Sequence, residues 1–194
     1  MDNKLRILSF LAKQHPQGFT MHGLSATLGI PYATFHRAVK AMGGLVNTAS
    51  VGKANVLTLN TAHPALKSYL SIASHEEREE FLKKSPILRK IASDAKGDIV
   101  LLFGSHAKQK ATDTSDVDIL VINAKGQRTA SFTLHELLYK KKIRPIFVTT
   151  AEFLRMLREP DENVGKQAVK GHIVLRNPEA FWTLVLDGLQ EGCR

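Results

Sequence analysis

Along the first sixty residues, apolar positions recur three times at helical spacing and then give way to two short runs. Leu5, Leu8, Leu11 and Ala12 mark one face of a first helix, which ends near His15-Pro16-Gln17-Gly18. Met21 to Leu28 makes a short second helix, and Gly29-Ile30-Pro31 is a turn with Pro placed to open a third. In that third helix Phe35, Ala38, Val39 and Met42 follow the i, i+3, i+4, i+7 pattern and face the core. Its other face carries Tyr32, Ala33, His36, Arg37 and Lys40. Gly43-Gly44 stops the helix, and Leu45 to Ala49 and Asn55 to Leu59 form a hairpin around Gly52-Lys53.

The pattern changes beyond residue 63. Pro64 to Ile72 and His75 to Lys84 carry helical spacing, and Ser85-Pro86 restarts a helix that runs to about Asp94. A short branched run, Ile99 to Phe103, breaks at Gly104-Ser105 and reads as a buried strand ending in a tight turn. A polar loop then leads to Asp116-Val117-Asp118, at the head of a second apolar run, Ile119 to Ile122. The remaining pattern predicts helices over 130–141, 150–158, 161–170 and 178–189. It predicts strands over 143–148 and 172–175. Phe181, Trp182 and Val185 are the inward positions of the terminal helix.

Composition narrows the class. With 194 residues, 43% of them hydrophobic, the chain suits two small domains. No apolar stretch approaches the roughly 18 residues of a membrane span, and Met1-Asp2-Asn3-Lys4 leads into an amphipathic pattern without signal-peptide architecture. Cys193 is the single cysteine, which excludes an intrachain disulfide and a cysteine-based zinc site and fits a reducing cytoplasm. The net charge of +9 favours polyanionic partners. Residues 1–60 hold six Lys or Arg against one Asp, so the basic part is the N-terminal one. The expected domains are residues 1–62, a helical connector at 63–95, and residues 96–194.

The chemistry lies in the second domain. Asp116 and Asp118, two apart along a strand, project to the same side while Val117 faces away. Adjacent carboxylates repel unless a cation lies between them, and such oxygens suit Mg²⁺ completed by water and substrate phosphates. Gly104 allows a phosphate close to the backbone, and Ser105 adds a hydroxyl and N–H groups.

Gly104-Ser105, ten intervening residues and Asp116-Val117-Asp118 resemble the signature of the DNA polymerase β-like nucleotidyltransferases, in their minimal branch. The resemblance implies an α+β domain with a mixed sheet flanked by helices. It also implies that Gly104 and Ser105 hold a nucleoside triphosphate while Asp116 and Asp118 bind the metal and serve catalysis. Lys108 and Lys110 supply phosphate-side charge, with His106 standing where a basic residue is often found. The family's third carboxylate is missing from Ile143 to Val148, where Ile146 is the aligned position. Transfer would then need another proton acceptor: Glu136, Glu152, His106 or the substrate itself.

The N-terminal pattern resembles a winged helix-turn-helix, whose third helix enters the major groove while the wing touches the backbone. That likeness assigns DNA contacts to Arg37, Lys40 and Lys53, with Tyr32, Thr34 and His36 as weaker candidates. The expected function is Mg²⁺-dependent transfer of a nucleoside monophosphate from a triphosphate to a hydroxyl of protein or nucleic acid, coupled to DNA binding. The alternative is a DNA-binding regulator with a catalytically degenerate, nucleotide-sensing or antitoxin-like transferase domain. A protein partner, toxin-like or acceptor, and a homodimer both stay open; a membrane partner is not expected.

Overall fold

The computed structural model describes residues 1–128 and 131–191. Cys193 and the expected helix start at Ala130 lie outside them. The chain divides into two compact units, Met1–Ala73 and Ser74–Arg194.

The first unit runs α1 (Asn3–Lys13), β1 (Phe19–Thr20), α2 (Met21–Leu28), α3 (Tyr32–Lys40), β2 (Val46–Val51) and β3 (Ala54–Leu59). Leu5, Leu8 and Leu11 of α1 are buried with Leu24, Phe35 and Leu57, as the helical spacing requires. The Thr20 hydroxyl caps α2 by accepting from Gly23 N–H at 3.1 Å, and Gly29 ends it in the left-handed conformation at φ 61°. The sheet is antiparallel in the order β1-β3-β2, with Phe19 opposite Leu57. A strand of two residues is too short to show a period, so β1 is absent from the sequence pattern.

The division between the units falls inside α4 (Leu66–Lys83), which is continuous where the sequence pattern suggested two helices. Ala73 and Ser74 break the apolar spacing without being helix breakers, and both are buried. Then follow α5 (Pro86–Asp94), β4 (Ile99–Phe103), α6 (Gly104–Ala107), β5 (Val117–Ile122), α7 (Thr133–Tyr139), β6 (Ile143–Val148), α8 (Thr150–Arg158), α9 (Val164–Lys170), β7 (Ile173–Arg176) and α10 (Pro178–Glu191).

The second unit has a four-stranded sheet in the order β6-β5-β4-β7, parallel between β5 and β6 and antiparallel elsewhere. This is the mixed sheet flanked by helices that the resemblance implies. One face carries Val100, Leu102, Val117, Ile119 and Val121, covered by Leu88 and Ile91 of α5 and by Phe81 and Leu82 of α4. The opposite face carries Leu101, Leu120 and Asp118 and meets α9 and α10, with α8 packed on both. All of β4 is buried, which explains its unbroken apolar run. Pro145 is tolerated in β6 because that strand is the sheet's edge. Among the described residues, no helix is long and apolar enough to cross a membrane.

Candidate functional site

The site forms where β4 ends and β5 begins. Asp118 pairs with Phe103 across the antiparallel ladder, so the residue after Phe103, Gly104, lies against the Asp118 side chain. Gly104 adopts φ +71°, and a Cβ there would collide with the Asp118 carboxylate, 3.1 Å from its Cγ. Only glycine combines that conformation with that contact. Ser105 is the second residue of α6, and its carbonyl accepts from Lys110 N–H at 2.9 Å, folding the loop back. Thr112 N–H donates to Ser115 Oγ at 2.9 Å, and Lys141 Nζ donates to the Asp113 carbonyl at 2.5 Å. The loop between the Gly-Ser turn and the aspartates is thus tied at both ends.

The parallel register of β6 adds a residue that the sequence pattern did not assign. Asp118 stands beside Arg144, whereas Ile146 stands beside Leu120, one pleat further along. The residue beside Asp118 on β6 is therefore Arg144, two before Ile146 on the same strand face. The Arg144 guanidinium forms an ion pair with Asp116 at 2.5 Å. Its side chain is 58% exposed and that of Asp116 21%, so the pair resembles surface pairs that contribute about 0–1 kcal/mol. Burial pushes the Asp118 carboxyl above its ordinary range; Asp116 adds to the rise, while Arg144 and His106 oppose it.

Residues 87–180 match the family model of the polymerase β nucleotidyltransferases. No curated protein and no solved structure matches the chain. The match supports nucleotidyl transfer at the level of the family and implies a nucleoside triphosphate substrate. Members of this family typically use a divalent metal. Two carboxylates fit one such ion that completes its shell with water and phosphate oxygens. Among the described residues no group of three acidic, His or Cys side chains stands together, and a guanidinium lies beside the pair.

The other candidates are dispersed. Lys108 lays its aliphatic stem over Gly171, where a Cβ would come within 2.7 Å of Lys108 Cε, and Lys110 is exposed in the loop. Glu136 accepts from Ile143 N–H at 2.9 Å and so secures the start of β6. Glu152 lies beyond the far end of β6, in the capping box of α8 with Thr149. His106 is the acceptor candidate whose charge reaches Asp118, and its Nε2–H donates to the Ser115 carbonyl at 3.2 Å. A cleft of about 250 Å³ lined by Ile87, Leu88 and Val117 shares His106 with the site.

In the first unit, Tyr32, Arg37 and Lys40 are exposed on α3, and Lys53 is exposed at the hairpin tip beside Gly52. Arg37 donates to Thr34 Oγ1 at 3.4 Å. Tyr32 stacks on His22 of α2 with ring centroids 4.1 Å apart and lies 6.2 Å from the His36 ring. His22 was missed in the sequence because only the angle between α2 and α3 brings it to this face.

Proposed function

We propose that the second unit binds a nucleoside triphosphate with Mg²⁺ at Gly104, Ser105, Asp116 and Asp118, and moves its nucleoside monophosphate to a hydroxyl of protein or nucleic acid. The observation that carries this reading is Asp118 seated on the Gly104 turn, with Asp116 one pleat away. The aspartates would hold the metal, which supplies charge neutralisation at the phosphates. Ser105 and the turn's backbone position the triphosphate, with Lys108 and Lys110 as additional charge on the loop side. The acceptor oxygen bonds to the α-phosphorus and pyrophosphate leaves. His106 Nδ1 takes the hydroxyl proton, since the Nε2 side of that ring is engaged by Ser115.

Residues 1–62, as a winged helix-turn-helix joined by the connector at 63–95, are proposed to bind DNA through α3 and the hairpin tip. Arg37, Lys40 and Lys53 supply phosphate or base contacts, and Tyr32 and His36 line the same helix face. Arg144 favours a second reading, a DNA-binding regulator that senses nucleotide without transferring it, because a cation is paired with Asp116 and β6 carries no acid.

Intact mass spectrometry after incubation with each NTP and Mg²⁺ separates the two. Transfer predicts a nucleotide-sized gain on the protein, a co-purified protein or RNA, lost in Asp116→Asn/Asp118→Asn. Nucleotide binding with no mass gain on any acceptor supports the sensor instead.

A further inference from the structure

We propose that Arg144 is a movable counter-ion of this site: it neutralises Asp116 when the site is empty and shifts to the triphosphate when metal and nucleotide load together. The inference rests on the proposed nucleotide binding and assigns it a residue and an order of loading. Arg144 is placed by the β5–β6 register beside Asp118 and reaches Asp116 at 2.5 Å. Its guanidinium is therefore paired with one of the two carboxylates that a metal would take, and its charge acts on the other.

The balance of charge then sets the order. Two aspartates and one arginine leave the empty corner with a single net negative charge. A metal ion arriving alone must displace the guanidinium from Asp116 and offers that group no new partner. A metal arriving with a triphosphate brings several oxygens for which guanidinium is a better match than a lone carboxylate, because its planar fork binds phosphate in two-point fashion. The contact being abandoned is a weak one, since more than half of the Arg144 side chain is in water. The loop lysines make no ion pair with either aspartate among the contacts of the described residues, since Lys108 lies over Gly171 and Lys110 is exposed in the loop. Arg144 is the cation already in the corner.

The test uses the full-length protein and two variants, Arg144→Ala and Arg144→Lys. Each is measured for Mn²⁺ binding alone, by loss of the free-ion paramagnetic signal. Each is also measured for binding of a non-hydrolysable NTP analogue in saturating Mg²⁺. Thermal unfolding confirms that the variants fold. The expected result for Arg144→Ala is a pair of opposite changes: Mn²⁺ alone binds several-fold tighter, and the analogue binds about tenfold weaker. Arg144→Lys should fall between, keeping the charge without the fork. Analogue affinity equal to wild type, or both affinities moving in the same direction, would overturn the counter-ion role while leaving the nucleotide site standing. No analogue binding by the wild type itself would overturn the nucleotide reading and this proposal with it.

Discussion

Gly104 is the residue on which the proposed site depends most sharply. Its φ of +71° and the Asp118 carboxylate resting against it leave no room for a side chain. Gly104→Ala should cost about 2 kcal/mol or more, through left-handed backbone strain and the overpacked contact, and should push Asp118 out of line with Asp116. Chemical denaturation measures the first effect, and weaker metal-dependent nucleotide binding reports the second. The Gly-Ser turn and the Asp-x-Asp pair were both legible in the sequence, because each is a local pattern whose geometry needs only the alternation of a strand. Arg144 was not legible as a site residue. Its place beside Asp118 is set by a parallel pairing between strands 26 residues apart, and a shift of one residue would have turned it to the opposite face.

At the scale of elements, α8 is held at its start by a reciprocal cap. Thr149 Oγ1 accepts from Glu152 N–H at 3.1 Å, and Glu152 Oε2 accepts from Thr149 N–H at 2.7 Å. Thr149→Ala should lower stability by about 1 kcal/mol in a denaturant titration. The hydrogen bonds from Thr149 hold the Glu152 carboxyl below its ordinary range. The folded value lies under the unfolded one, so this contribution is present above the unfolded carboxylate pKa and is lost as pH falls through the folded value. Glu152→Gln should flatten that acidic limb of the stability profile, and an unchanged limb would remove the cap from the account. Helix and strand types came through in the sequence pattern wherever an apolar face repeated, as in α1, α3, β4 and β5. The pattern failed at β1, which has no room for a period, and at the middle of α4, where small buried residues interrupt the apolar spacing without ending the helix.

The chain joins a basic N-terminal unit to a unit with the polymerase β nucleotidyltransferase match. For the first, Arg37→Ala, Lys40→Ala and Lys53→Ala should each weaken duplex binding. Each lost phosphate contact should lower the slope of log affinity against log salt by about 1. If Arg37 touches a base edge instead, its removal should relax discrimination at one position by about 1–3 kcal/mol. Gel shifts on genomic fragments at low salt, showing no retained complex, would remove DNA from the account. For the second unit, the central claim is that Asp116 and Asp118 beside Gly104 form a site for metal and nucleotide together. Titration calorimetry with an NTP in the presence and absence of Mg²⁺ tests it most directly, on wild type and on Asp116→Asn/Asp118→Asn. The account predicts Mg²⁺-dependent binding by the wild type that the double variant loses while keeping its fold. Equal affinity in the two proteins would contradict it.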